Sequence, residues 1–304
     1  DERDRERSKK LMRSLDTINM KMGAGALKYA AAGLGQRQRF EEISSEIRGL
    51  VERSGQANVA LASMTLDGLA NYMDGRLEEA VDIARRIQTR GEELGLFEYA
   101  VVLAVICGLR PRISLGKADR ALQRNLEGTR DPATKLLCLA YLGREAEARA
   151  MLDQRVLARP GIGTAEDKTL VPQDIISLEA AVLVRHREAA ELLLRRLAGS
   201  SIRISGDLFL TCTARHLGGA AALLERYEEA RKYYQEAIKV CTEMRFRPEM
   251  ALTRLQLAEL LLEHYPQEKS EAIAHLDFCI NEFRDMKMQP SLERALRHKD
   301  ILKA

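Results

Sequence analysis

A recurring phrase constrains the fold of this chain more than any other feature: one or two acidic residues followed by Ala inside an amphipathic stretch. It reads GRLEEAVDIARRI around Ala80, GREAEARAMLDQRV around Ala148 and RHREAAELLLRRL around Ala189. It returns as ERYEEARKYYQEAI around Ala230 and EKSEAIAHLDFCI around Ala272. From Ala148 onward the intervals are 41, 41 and 42 residues; from Ala80 to Ala148 the gap is 68, with a weaker copy, LGKADRALQRNL around Ala118, inside it. A steady period in this range marks a solenoid of stacked supersecondary units. Shifting the chain by 42 residues lays Glu229, Ala230, Ile238, Met244 and Pro248 on Glu271, Ala272, Ile280, Met286 and Pro290.

One unit reads as a helix hairpin. The small Ala side chain lets the second helix approach the first closely, a matter of volume rather than chemistry. Gly-containing turns precede several copies, at Leu142–Arg144 and Met73–Arg76, and Pro248 and Pro290 fit helix starts, where a missing N–H loses nothing. No copy alternates β-branched residues as a strand would. Ala, Leu, Glu and Arg dominate, Trp is absent and only seven residues are Pro; that mix favours helices. A single hairpin cannot bury its apolar stripe, so neighbours stack into a superhelix. The expected fold is all-α: a helix-hairpin solenoid of about six repeats, each of roughly 40 residues, preceded by a short N-terminal helical extension.

Charge divides the chain in two. Residues 1–40 carry ten Lys or Arg against five Asp or Glu, leaving 38 against 40 in residues 41–304, so the net +3 belongs to the leader. The chain therefore reads as a basic N-terminal segment, 1–40, followed by a helical-repeat array, 41–304. The interleaved acids of DERDRERSKK supply i,i+4 partners that a solvated helix wants, which disfavours the leader as a nucleic-acid arm. The five cysteines, Cys107, Cys138, Cys212, Cys241 and Cys279, are widely spaced among apolar neighbours, without CxxC, as expected of free thiols in a reducing cytoplasm. No signal peptide or membrane-length apolar run is present in the sequence, and a first residue of Asp suits a fragment or processed product.

The LG…Y-EEA…A pattern resembles tetratricopeptide repeats, with a period longer than the 34 residues of the standard unit. The longer unit is similar to the C-terminal helical arrays of bacterial signalling ATPases: LuxR-type regulators related to the maltose activator (MalT), and nucleotide cyclases carrying an ATPase module. The resemblance spans roughly 45–304 and is strongest over FRPEMALTRLQLAELLLEHYP…EAIAHLDFCINEFRDMKMQPSLERAL. Residues 1–36 resemble the C-terminal tail of UmuC-type Y-family translesion DNA polymerases. There an LM…LD.IN helix leads into G.G.L..A..G, carried here by Leu11, Met12, Leu15, Asp16, Ile18, Asn19, Gly23, Gly25, Leu27, Ala30 and Gly33. The tryptophan and the tyrosine-threonine-rich ending of that tail are missing, and no polymerase carboxylate can be carried over.

No GxxxxGK[ST] loop, HExxH or GxSxG elbow occurs, and no cofactor or metal is expected. His275 and Cys279 stand at i and i+4, but the overlay puts Cys279 on the buried repeat position of Ala237, so a packed thiol is favoured over a metal ligand. His186, His216, His264 and His298 show no ligand spacing, and Tyr233 and Tyr234 suit a helix interface. A concave solenoid face binds a protein or peptide, and the first helix of each unit lines it. That puts Asn71, Tyr72, Arg215 and Arg254 at the candidate partner-binding positions. The expected function is a non-catalytic scaffold or sensor arm of a bacterial signalling or transcription-regulatory protein. The alternative is a fragment or fusion of a UmuC-like translesion polymerase.

Overall fold

The recurring Ala marks one place in the packing. Ala80, Ala148, Ala189, Ala230 and Ala272 each stand in the first turn of the outer helix of a hairpin, Ala118 immediately precedes one, and all six are buried. The computed structural model describes residues 36–128, 131–164, 166–205 and 210–301. The N-terminal helix and the Gly23–Gly33 run expected from the sequence lie outside the described residues.

A first helix, α1 (Arg37–Ser54), leads into six hairpins. These are α2 (Ala57–Met73) with α3 (Leu77–Glu93), α4 (Phe97–Ser114) with α5 (Asp119–Gly128), and α6 (Pro132–Tyr141) with α7 (Glu145–Leu152). They continue as α8 (Val171–Leu183) with α9 (Arg187–Leu197), α10 (Thr213–Leu223) with α11 (Tyr227–Met244), and α12 (Arg247–His264) with α13 (Lys269–Asp285). A single helix, α14 (Gln289–Ile301), follows. The fold is thus all-α, with about 80% of the described residues helical, and Phe40 of α1 is already part of the core. The irregular spacing between Ala80 and Ala148 has a plain cause: α5, α6 and α7 are 10, 10 and 8 residues long, against 17 or 18 for α2, α3 and α4.

In five of the six hairpins the turn passes through a left-handed residue. Gly75 and Gly143 take it at φ 82° and 69°, as the Gly-containing turns predict, but Arg185 and Glu225 occupy the same place at φ 52° and 65°. Pro248 and Pro290 lie in the first turns of α12 and α14. One departure from the all-helical pattern is a two-residue antiparallel pair, β1 (Ile204–Ser205) with β2 (Thr211–Cys212), too short to show an alternating pattern in sequence. Between α7 and α8, a π turn (Asp153–Leu157) leads into a loop pinned by two buried carboxylates. Arg159 contacts Asp174 at 2.8 Å and Asp167 at 3.1 Å, and Arg196 contacts Asp167 at 3.0 Å.

The superhelix returns on itself. Tyr72, at the end of α2, meets Phe246 edge-on at a centroid distance of 5.3 Å. The Arg247 guanidinium donates to the Asp74 carbonyl at 3.3 Å, and the Lys287 ammonium pairs with Glu78. Gly75 lies so close to Met286 that a Cβ would come within 2.7 Å of the sulfur. One apolar cluster accordingly runs without a break from α1–α4 to α11–α14, and a second fills the hairpins between. None of the described helices is long and apolar enough to cross a membrane.

Candidate functional site

The first helices of the hairpins turn the same flank toward the superhelix axis, and closure brings side chains from six of them together. Around the axis lies a cavity of about 360 Å³ bounded by α2, α4, α6, α8, α10, α12 and the start of α14. A space of this size suits a small polar molecule. Its walls carry two buried ion pairs.

Arg110 projects from α4 and Glu179 from α8, each the lone charge in an otherwise apolar run of helix. The guanidinium grips the carboxylate with two parallel bonds, one of 2.6 Å from Nη1 to Oε1. The Tyr141 hydroxyl, at the end of α6, donates to the same Oε1 at 2.6 Å. The side chains of Arg110 and Glu179 are 5% and 4% exposed, so the pair is dry. Burial alone would raise the Glu179 carboxyl, but Arg110, with Arg215 beyond it, holds it below the usual carboxylate range.

The second pair joins α10 to α12. Arg215 donates from Nε to Glu249 Oε2 at 2.8 Å and from Nη2 to Oε1 at 2.9 Å. Glu249 stands in the first turn of α12, where the helix dipole favours an anion, and its Oε2 also accepts the Cys212 N–H at 2.9 Å. The short β pair therefore presents a backbone donor to this carboxylate. Arg215 Nη2 also donates to Thr211 Oγ1 at 3.2 Å, and Thr211 Oγ1 lies 2.7 Å from His216 Nε2. Arg215 Nη2, which can only donate, also lies 3.4 Å from His216 Nε2, which favours Nε2 as acceptor and places the ring proton of the neutral imidazole on Nδ1. Burial, reinforced by the adjacent Arg215 charge, lowers the His216 imidazole to about 3. His216 Nε2 also lies 3.8 Å from Glu179 Oε2, which links the two ion pairs into one cluster.

Of the four side chains expected at partner-binding positions, two lie on the cavity wall. Tyr72 and Arg215 border the cavity, but both are buried, Tyr72 against Phe246 and Arg215 against Glu249. Asn71 and Arg254 point elsewhere, which corrects the four-residue surface read from the sequence. Asn71 Nδ2 donates to the Asp67 carbonyl at 2.8 Å, and its Oδ1 accepts from Arg76 at 2.6 Å. The Arg254 guanidinium lies 4.0 Å over the ring of Phe278 on α13. One residue along a helix rotates a side chain by about 100°, enough to carry both off the axis. Arg110, Tyr141, Glu179, His216 and Glu249 complete the cluster and did not stand out in the sequence. The signal that marks Arg110 and Glu179 is a charge set against long apolar stretches, YAVVLAVICGL and IISL…AAVL, since such groups are buried only when paired.

His275 and Cys279 take the packed arrangement: the thiol is fully buried and donates to the Ala251 carbonyl at 3.1 Å, and the imidazole stands 3.6 Å from Glu271. Tyr234 is buried against Gly218 of α10, whose missing Cβ admits the ring; a Cβ there would lie 2.5 Å from it. Among the described residues, no group of three or more His, Cys, Asp or Glu is placed to hold a metal ion.

The family described as Domain of unknown function (DUF4113) matches residues 9–42, and this domain is typically found in UmuC-related proteins. The match covers about a tenth of the chain and ends six residues into α1. No curated protein matches the chain.

Proposed function

We propose that the chain is a non-catalytic binding module, the cytoplasmic scaffold or sensor arm of a bacterial signalling or transcription-regulatory protein. Its partner is a protein or peptide rather than nucleic acid or membrane. The reading is supported above all by the state of the axial cluster. Glu179 and Glu249 are held as anions by Arg110 and Arg215, and His216 is held neutral. A general acid or base needs a group that changes charge near the working pH, whereas this cluster keeps its charges fixed and positions six helices. The contacts that close the superhelix, Tyr72 with Phe246 and Lys287 with Glu78, couple its two ends. A partner that favours a different curvature would act through them.

The test is affinity capture with the tagged full chain, repeated reciprocally with each captured protein tagged, beside the closure variant Arg247→Glu/Lys287→Glu. The reading predicts a reciprocal partner whose recovery changes in the variant. Absence of any reciprocal partner would count against it. A second reading has the DUF4113 match behind it: a fragment or fusion of a UmuC-like translesion polymerase. Template-dependent primer extension across a damaged base by the purified chain would favour that reading, and inactivity is expected under the first.

A further inference from the structure

Among the described residues, none covers the outer flank of α4 around Val102. This helix, FEYAVVLAVICGLRPRIS, is uncharged from Tyr99 to Leu109, and a helix apolar round its circumference needs cover on every side. Its outer partner α5 has only 10 residues, against 17 in α3. Val102 is consequently 50% exposed. A groove of about 630 Å³ opens here between α3, α4, α5 and α6, with Val101, Val102 and Val105 on its floor.

The rim is cationic and unanswered. Arg112, Arg120 and Arg124 line the groove, and none has a carboxylate within ion-pairing distance among the described residues. Arg112 is half-buried, and burial together with the nearby Arg85 and Arg124 charges pulls its guanidinium below its ordinary value. A desolvated cation beside like charges is stabilised by an incoming anion. The single carboxylate on the wall, Asp131, caps α6, accepting the Thr134 N–H and hydroxyl at 2.7 Å each.

We infer that this groove docks an acidic amphipathic helix of a partner protein, with its apolar face on the α4 valines and its carboxylates on Arg112, Arg120 and Arg124. The inference rests on the binding-module reading and names the chemistry of the partner. Dimensions and charge both point to a helix. From Val101 to Arg112 the groove floor runs about 16 Å at 1.5 Å per residue, three helical turns. Arg120 and Arg124 stand one turn apart on α5, matching carboxylates at i and i+4. The chain's own basic leader carries the wrong sign, and a second copy seated here would set arginines against arginines.

The experiment titrates the full chain into a fluorescent 14-residue helical peptide with Leu at i, i+3, i+4 and i+7 and Glu on the flanking positions. The controls are the same peptide with every Glu replaced by Lys, anionic phospholipid vesicles and a single-stranded oligonucleotide. Saturable binding of the acidic peptide is expected, with at least a tenfold loss for Arg120→Glu/Arg124→Glu and for Val102→Glu. The charge-reversed chain should prefer the Lys peptide. Circular dichroism confirms that the exposed substitutions leave the helices intact. Equal binding of both peptides, unchanged affinity in the charge-reversed chain, tighter binding of vesicles or oligonucleotide, or self-association through this face would each overturn the inference. Reciprocal capture with Arg120→Glu/Arg124→Glu separates the two levels. If a partner is captured undiminished, the groove is refuted and the module reading stands; if wild-type chain captures none, the module reading itself fails.

Discussion

Replacing Arg110 by Met tests the axial cluster most severely. The side chain is 5% exposed, and its loss strands the Glu179 carboxylate, itself 4% exposed, with only the Tyr141 hydroxyl and the neutral His216 beside it. Breaking a buried pair by removing one partner destabilises by about 3–5 kcal/mol. At about 2–4 °C per kcal/mol for a chain of this size, the melting temperature should fall by roughly 6–20 °C. The fall should shrink on acidification, because protonating Glu179 removes the stranded charge. Replacing both residues, Arg110→Met with Glu179→Met, should recover most of the loss, since matched apolar side chains replace a buried pair at little net change. The assay is thermal and urea unfolding of wild type, both single variants and the double variant by circular dichroism, read as a double-mutant cycle. A single variant melting within about 2 °C of wild type, or single effects that simply add, would refute the idea that the two groups are a coupled, desolvated pair.

Three further outcomes follow from the same geometry. His216 is lowered to about 3 from an ordinary value near 6.5, so between those values the unfolded chain holds a proton that the folded chain does not. Stability should therefore drop as the pH is lowered through that window, by up to about 1.4 kcal/mol per unit, and His216→Gln should flatten the profile between about pH 5 and 6.5; an unchanged slope would count against a neutral imidazole at the axis. Arg245 caps α11 in the left-handed region at φ 52° and is exposed, so Arg245→Gly should stabilise by up to about 1 kcal/mol in urea unfolding. Ala230→Leu should destabilise by about 1–3 kcal/mol through overpacking, while Leu at exposed Lys232 should change little.

Local pattern made the units of this fold legible in the sequence. The Ala at each outer helix, the glycine turns at Gly75 and Gly143, and the prolines opening α12 and α14 all act within a few residues of themselves. Arg185 and Glu225 hold the same left-handed turn positions without the residue that advertises them, because the surrounding hairpin determines the backbone there. Closure was not legible, because its contacts join residues as far apart as Glu78 and Lys287, separated by 209 positions. The axial cluster depends on that closure. Tyr72 and Arg215 stand on the inner helices, as members of a buried network rather than of an open surface. Asn71 and Arg254 failed on helix phase, and His216 was passed over because its partners come from elements remote in sequence or too short to recognise. The groove beside α4 left one trace, an apolar helix followed by an outer helix too short to cover it.

Zero-length carbodiimide cross-linking of the purified monomer examines the closed superhelix most directly. Lys287 pairs with Glu78 across the closure, and Lys299 pairs locally with Asp277 as an internal control. An amide joining the Lys287 and Glu78 peptides, recovered by mass spectrometry from the monomer band alongside the Lys299–Asp277 link, is the predicted result. Recovery of the local link without the long-range one would mean that the array is open, and that Tyr72, Arg110 and Arg215 do not share a buried axis.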